Sequence, residues 1–294
     1  MSEEIKFGER EKNPKIQESM QKVLDSNTAA LAFIAPYAPA KISPTKALAA
    51  TVDIPEELGI EDAINEIKKE REIRNLYLLL NSPGGGVSSS FKIARIIRDS
   101  FKDITIFIPH IAASGGTLIA LAGNRIVMGE MSHLSLIDVQ TERNGKMYSV
   151  NAMVRSFNNL NELFRTTPEE DAPYPWKAMA NKLDPVEFQD WIDASTLMEK
   201  HAIEILIHEN SSLKENAEEI VDRLSSGYPT HSYSITVNEA KEILGNVVYS
   251  REKEYSEAWN VMRNWLREYI MEESAIHFIR FVLPKRGEEK SGKE

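Results

Sequence analysis

The chain of 294 residues contains no cysteine. Disulfide bonds and thiolate metal sites are therefore excluded, although this absence does not identify a cellular compartment. An excess of basic residues is also missing, because 45 Asp and Glu outnumber 35 Lys and Arg and give a formal net charge of −10. Nucleic-acid-binding domains are normally basic, so we expect no nucleic-acid partner.

Long apolar runs are lacking as well. Residues 1–6 carry no apolar signal-peptide region. The apolar stretch Ala29–Ala40 is among the longest, and it is too short and too proline-rich to span a bilayer. We therefore expect a cytoplasmic protein without a transmembrane segment, and a membrane-associated partner stays open.

Short apolar runs alternate with glycine turns and helical patterns. Hydrophobic residues make up 42% of the chain, enough for a sizeable core. The runs Thr28–Ala35, Leu76–Leu80 and Ile104–Ile108 are continuous, which is typical of parallel strands buried on both faces. Helical periodicity follows the last two runs, so the sequence predicts an α/β fold.

The flanking regions differ from this core in composition. Residues 1–27 are polar with apolar residues at helical spacing, which predicts a peripheral N-terminal helix. Residues 28–250 form the predicted main domain. Residues 251–284 are predicted to form a C-terminal helix, and the charged tail 285–294 is expected to be disordered.

The first glycine block, Asn81–Gly86, directly follows an apolar run. Glycine permits backbone conformations that other residues avoid, and a helix that starts there has free N–H groups. Such a turn can donate hydrogen bonds to a developing oxyanion, or bind a phosphate or carboxylate, or be purely structural. The block lacks the lysine of a P-loop and the spacing of a dinucleotide fingerprint.

The second glycine block, Ala112–Gly116, has Ser114 at a strand-to-helix turn. A serine there is exposed at the start of a helix, with the N–H of Gly115 beside it. The logic is that of a nucleophile elbow, while a helix N-cap serine is the alternative. We expect both blocks at the same carboxyl edge of the sheet, where open α/β sheets bind ligands.

Together, in this order, the two blocks resemble the Clp/crotonase superfamily, and within it the Clp-like serine dehydrogenase proteinase family, which is related to the signal peptide peptidases. Four further segments carry this resemblance: Ser114–Thr117, Ile126–Met128, Ile137–Gln140 and Thr230–Thr236. The resemblance extends over roughly residues 28–250. It implies a ClpP/crotonase-like spiral of ββα units with additional C-terminal helices, and it also implies a homo-oligomer.

The resemblance further implies a function. Carried over by position, Ser114 is the nucleophile, and N–H groups of Gly84 or Gly85, with Gly115, form the oxyanion hole. The implied reaction is hydrolysis of peptide bonds through an acyl-enzyme, on a peptide or protein substrate and without a cofactor.

The general base is left open by the sequence. The histidine of the Clp triad would fall near Asp138, where this chain has no histidine. An aspartate as sole base suits serine poorly unless its pKa is raised. Signal peptide peptidases use a lysine several tens of residues after the serine, and Lys177 and Lys182 lie at such distances here.

Three histidines are further candidates for the base. His110 shortly precedes the serine block, His133 precedes an apolar run, and His231 lies in a segment that carries the resemblance. His201 and His208 could share a helix face, but no carboxylate completes a zinc motif, so we predict no metal site.

Two other functions remain alternatives to the serine peptidase. A crotonase-like acyl-CoA enzyme would use the glycine turn to hold a thioester oxygen. A catalytically inactive Clp-fold scaffold would keep the fold without a base. The block around Ser114 favours the peptidase.

Overall fold

The structure is a computed structural model. It describes residues 8–36, 51–70, 72–143, 145–171, 175, 178, 184–209, 211–228, 230–251, 254–272 and 276–285. The α-helices within this part are α1 Pro14–Val23, α2 Ile54–Glu70, α3 Val87–Ser100, α4 Gly115–Ala120, α5 Val150–Thr166, α6 Pro185–Leu206, α7 Ala217–Ser226, α8 Val237–Leu244 and α9 Ser256–Tyr269. The strands are β1 Gly8–Arg10, β2 Thr28–Ile34, β3 Asn75–Asn81, β4 Asp103–Ile108, β5 Ile111–Ala112, β6 Arg125–Met128, β7 His133–Leu134, β8 Gln140–Arg143, β9 Lys146–Ser149, β10 Ile235–Thr236, β11 Val248–Ser250 and β12 Phe278–Val282. Short 3-10 helices span Glu169–Asp171, Lys214–Asn216 and Gly245–Val247.

The main sheet has seven strands in the order β1-β12-β2-β3-β4-β6-β11. The pairs β2-β3, β3-β4, β4-β6 and β6-β11 are parallel, whereas β12 pairs antiparallel with β2 and parallel with β1. The α/β fold class predicted from the sequence is confirmed.

Both faces of this sheet are covered. On one face, Leu78 and Leu80 of β3 join a core with residues of α2 and α3. On the other, Leu79 packs in a second core that contains Trp265 of α9 and Met20 of α1. Successive strand residues face opposite sides, which explains why these strands are continuously apolar.

A second, smaller sheet has the order β10-β7-β5. Strand β7 pairs in parallel with β5 and antiparallel with β10. Each of these strands has two residues, and β5 lies in the sequence between β4 and Ser114. The end of this small sheet is where the candidate site forms.

The predicted C-terminal helix over 251–284 is wrong in its last part. Helix α9 ends at Tyr269, and Phe278–Val282 forms β12, which lies between β1 and β2 in the main sheet. The physical reason is that burial alternates with the two-residue period of a strand: Ile279 and Phe281 are buried, whereas Phe278 and Arg280 are half-buried. The predicted tail lies outside the described residues from position 286 onward.

No helix in the described ranges has both the length and the apolar character needed to cross a membrane.

Candidate active site

Ser114 lies at a strained turn between β5 and α4. Its φ of 51° and ψ of −118° make it the one non-glycine residue with positive φ in the described part of the chain. Two hydrogen bonds hold this conformation: its N–H donates to Ser135 Oγ at 2.9 Å, and its carbonyl accepts the N–H of Leu118 at 3.1 Å. A backbone of this kind persists only where its surroundings impose it, and it is typical of a nucleophile elbow.

The two glycine blocks lie side by side, as the sequence predicts. The N–H of Ser82 donates to the carbonyl of Ile111 at 3.0 Å. The N–H of Ala113 donates back to the carbonyl of Ser82, also at 3.0 Å. This parallel bridge brings the turn after β3 directly against the turn that carries Ser114.

Gly84 and Gly115 permit this close approach. Gly84 has a φ of +94°, and a Cβ atom there would lie 2.5 Å from the carbonyl oxygen of Ala113 and 2.8 Å from Ser114 Cβ. A Cβ at Gly115 would overlap the hydroxyl of Ser90. A larger residue at Gly84 would separate the two turns, and a larger residue at Gly115 would displace Ser90 of α3.

Residues 81–86 after β3 form what we call the glycine turn, and only some of its N–H groups have an acceptor. The N–H of Gly84 donates to Ser82 Oγ at 3.1 Å. Among the described residues, the N–H groups of Gly85 and Gly115 have no hydrogen-bond acceptor. The N–H of Gly85 is 3.2 Å from the position that a Cβ of Gly115 would occupy. Two free donors therefore lie close together beside Ser114.

Asp138 and His231 form a hydrogen-bonded pair. The carboxylate of Asp138 is 3% exposed, and its Oδ1 contacts His231 Nδ1. Its Oδ2 accepts the hydroxyl hydrogen of Ser149, the residue that caps α5. An Nδ1–H that donates to the carboxylate leaves Nε2 of His231 as the basic nitrogen of the ring.

Strand register puts this pair at the same end of the small sheet as Ser114. Ser114 is the second residue after β5, and Asp138 is the fourth after β7, which is parallel to β5. His231 precedes β10 by four residues, and β10 is antiparallel to β7. All three residues therefore leave the sheet from one end.

The other candidates for the base lie elsewhere or outside the described residues. His110 and His133 stand at the starts of β5 and β7, at the opposite end of the small sheet, with ring centroids 6.0 Å apart. Burial lowers the pKa of His133, and the charge of His110 lowers it further. Lys177 and Lys182 lie outside the described residues.

His201 and His208, the two histidines considered as metal ligands, each contact another side chain. His201 stacks on Phe91 with ring centroids 3.8 Å apart. His208 Nε2 lies 3.8 Å from Asp99 Oδ1. Within the described ranges, no group of three or more histidine, aspartate or glutamate side chains has the arrangement of a metal site.

A buried cluster beneath the glycine turn was missed by sequence reasoning. Ser82 Oγ lies 2.9 Å from His277 Nε2, and His277 Nδ1 lies 3.5 Å from Glu56 Oε1. The available signal was weak: a single histidine in the otherwise apolar segment that leads into β12. Nothing in the sequence links that segment to the glycine block.

Fold and site together define an α/β protein whose parallel-rich sheet carries a glycine turn beside a serine on a strained turn. Residues 51–159 match the sequence model of a family described as ClpP-like SDH-type serine proteinase. The match confirms, over that segment, the resemblance to the serine dehydrogenase proteinases. The matched segment contains Gly84, Ser114 and Asp138, whereas His231 lies beyond it.

The curated relatives found are themselves uncharacterized. The proteins MJ1495 and MJ0137 of Methanocaldococcus jannaschii are 28% and 27% identical to this chain over 183 residues, which is 62% of its length. These alignments span 55% and 57% of the relatives, a little over half of their length. Among solved structures, a serine-to-alanine mutant of the 1510-N membrane-bound stomatin-specific protease is similar with a TM-score of 0.43 and 14% identity, over 70% of this chain and 77% of that one.

Proposed function

We propose that this protein is a serine peptidase that cleaves peptide bonds through an acyl-enzyme on Ser114. The observation that carries the proposal is the strained turn of Ser114, with the free N–H groups of Gly85 and Gly115 beside it. A strained, half-buried serine next to two free N–H donors is what acyl transfer requires. The description of the matching family as proteinases supports a peptide or protein substrate.

In the proposed first step, Ser114 Oγ attacks the carbonyl carbon of the substrate, and His231 Nε2 takes the hydroxyl proton. Asp138 holds the imidazole in the required tautomer and stabilises the imidazolium that forms. The carbonyl oxygen becomes an oxyanion, which accepts hydrogen bonds from Gly85 and Gly115. Collapse of this intermediate breaks the C–N bond, and the imidazolium protonates the departing amine.

In the second step, water attacks the acyl-enzyme. His231 removes a proton from the water, and the ester bond to Ser114 breaks as the proton returns to Oγ. The products are a carboxylate and the free serine. In this scheme Asp138 orients the base rather than acting as the base itself, because its Oδ1 already contacts His231.

A fluorophosphonate probe tests the nucleophile. We expect the probe to label the folded wild type, and Ser114→Ala to abolish the labelling, because the probe reacts only with an activated serine. Ser88→Ala removes an exposed serine at the start of α3 and serves as the control that keeps full labelling. A folded wild type that the probe does not label would contradict the proposal, and acyl-CoA binding by that protein in calorimetry would then favour the crotonase-like alternative.

The proposed base is tested by the rate of the same labelling reaction. We expect His231→Ala to slow it by about 10²–10⁴-fold, the usual contribution of a positioned proton acceptor. Asp138→Asn should slow it too, because the amide does not hold the imidazole in the required tautomer. His110→Ala, at the opposite end of the small sheet, is the matched control. An unchanged labelling rate for His231→Ala would show that another residue is the base, and Lys177 and Lys182 would then be the next candidates.

We also propose that the protein acts as a homo-oligomer. Apolar side chains of β9 and α5 are exposed in the single chain, with Met147 at 55%, Tyr148 at 42% and Leu163 at 38%. Exposed apolar side chains of adjoining elements are typical of association surfaces. Light scattering of the purified protein would measure the mass, and a monomer at micromolar concentration would contradict the proposal.

A further inference from the structure

Glu56, His277 and Ser82 form a cluster that we call the buried relay. The exposed fractions of their side chains are 2% for Glu56 and 0% for His277, and Ser82 as a residue is 0% exposed. The order serine, histidine, carboxylate is that of a catalytic triad. No substrate carbonyl can reach Ser82 Oγ at zero exposure, so the buried relay is not a second site of acyl transfer.

In the relay, the hydroxyl of Ser82 can accept one hydrogen bond and donate another. Its Oγ accepts the N–H of Gly84 at 3.1 Å, so its own hydrogen is free to donate to His277 Nε2 at 2.9 Å. In that tautomer the hydrogen of His277 is on Nδ1, which lies at an ion-pair distance of 3.5 Å from Glu56 Oε1 and makes no side-chain hydrogen bond among the described residues. Burial lowers the pKa of His277 and favours a neutral ring, while the carboxylate of Glu56 acts in the opposite direction.

Glu56 is itself fixed at the start of α2. Its Oε2 accepts the N–H of Asp53 at 2.9 Å, which is the backward contact of a capping box. Its Oε1 also accepts the N–H of His277 at 3.4 Å. The positive end of the helix dipole favours a carboxylate in this first turn.

Val52, the residue before this capping box, forms two backbone hydrogen bonds with the glycine turn. The N–H of Val52 donates to the carbonyl of Gly84 at 2.9 Å, and the carbonyl of Val52 accepts the N–H of Gly86 at 2.8 Å. With both neighbours held, the N–H of Gly85 is left pointing away from Val52. The relay thus reaches the turn twice, through Ser82 and through the cap of α2.

We propose that Glu56 and His277 are positioning residues that act through Ser82 to hold the glycine turn, so that the N–H of Gly85 is presented beside Ser114. The inference rests on the proposed function for its catalytic consequence, since it assigns the support of the oxyanion hole. The positioning of the glycine turn by Glu56, His277 and Ser82 is independent of the proposed function.

Hydrogen exchange measured by mass spectrometry tests the positioning without any need for activity. The peptide of interest spans residues 81–86. We expect Ser82→Ala and His277→Phe to raise the exchange rate of its amides about tenfold, because each change removes a hydrogen bond that supports the turn. Phenylalanine fills the space of the imidazole beside Phe33, whose ring centroid is 4.3 Å away, and removes both ring nitrogens.

Two further variants separate positioning from a general loss of stability. His277→Gln keeps a group that can both accept from Ser82 and donate to Glu56, so it should restore slow exchange in part. Ser132→Ala is the matched control: Ser132 is also buried and its Oγ accepts a glycine N–H, from Gly129 at 2.8 Å, away from the glycine turn. It should leave exchange over residues 81–86 unchanged.

The catalytic consequence is measured on the same variants with the fluorophosphonate probe. We expect Ser82→Ala and His277→Phe to label Ser114 about tenfold more slowly, with His277→Gln between them and the wild type. Thermal melting shows which variants are folded. If His277→Phe does not fold, Ser82→Ala and His277→Gln carry the comparison.

The outcomes distinguish the two proposals. Unchanged exchange over residues 81–86 in folded Ser82→Ala and His277→Phe would overturn the positioning role, whatever the labelling rate. Raised exchange with undiminished labelling would overturn the role in catalysis. An unlabelled wild type whose turn still responds to the substitutions would overturn the serine peptidase and leave the link between His277 and the glycine turn standing.

Discussion

At the scale of single residues, the site depends on one strained residue, Ser114, and on the glycine that it contacts, Gly84. A positive φ at a serine costs on the order of 1–3 kcal/mol, and Ser114 is kept there by Ser135 and Leu118. Gly84 supplies the space, because a side chain at that position would meet both Ser114 and Ala113. Strain at the serine and the small size of its neighbour are thus parts of one arrangement.

Replacement of Gly84 by alanine should therefore damage both stability and labelling. Gly84→Ala combines an unfavourable φ with a steric overlap, and we expect a loss on the order of 3 kcal/mol in the free energy of unfolding. Gly245→Ala is the matched control, because Gly245 also has a positive φ, of +62°, but open space around its Cβ position. That variant should lose only the backbone cost, about 1–2 kcal/mol, and keep its labelling. Urea unfolding measures both values, and equal losses would show that the overlap at Gly84 is relieved.

The candidate residues could be predicted from sequence, but their grouping could not. Ser114, Gly85 and Gly115 stand in recognisable blocks, so their chemistry is visible locally. Asp138 and His231 are 93 positions apart, and only the antiparallel pairing of β7 with β10 brings them together. That pairing involves two residues of each strand, which is too short to leave a periodic pattern.

At the scale of elements, the sequence predicted the strands with long apolar runs. Strands β2, β3 and β4 are buried on both faces over most of their length and are therefore mostly apolar. Strand β12 was missed because its five residues follow a long amphipathic helix, and their alternation is short. Strand β1, with three residues, has no apolar run at all.

One buried carboxylate joins three elements at the edge of the main sheet. Glu11 is 1% exposed and lies between β1 and α1. It accepts the indole N–H of Trp265 at 2.6 Å and the hydroxyl hydrogen of Tyr269 at 2.8 Å, both from α9. It also accepts the N–H of Asn13, just before α1, at 2.8 Å. Burial raises the pKa of Tyr269, and the carboxylate of Glu11 raises it further.

Loss of this carboxylate should be costly because it leaves buried donors without acceptors. We expect Glu11→Ala to lower the free energy of unfolding by about 2–4 kcal/mol, measured by urea unfolding. Glu9→Ala is the control: Glu9 pairs with the exposed Lys12 at 2.9 Å and with Arg280 at 3.7 Å, and loss of such surface pairs costs about 1 kcal/mol or less each. Similar losses for the two variants would contradict the structural role of Glu11.

At the scale of the whole molecule, strands from the first and the last described segments lie together at one side of the main sheet. Strand β12 lies between β1 and β2, and β2 is the neighbour of β3, which leads into the glycine turn. The segment that enters β12 also supplies His277 to the buried relay. The glycine turn and the segment that enters the C-terminal strand are therefore in direct contact, although 195 positions separate Ser82 from His277.

This dependence predicts the effect of truncation. A chain that ends at Glu272 loses β12 and His277, so β1 has no partner and β2 exposes an apolar edge; we expect no cooperative thermal transition and no labelling of Ser114. A chain that ends at Lys285 keeps all of β12 and controls for truncation itself, with a cooperative transition and labelling both retained. Circular dichroism and the fluorophosphonate probe read out the two properties. If the shorter chain melted cooperatively and kept its labelling, the sheet and the site would be independent of β12, and the buried relay would have no positioning role.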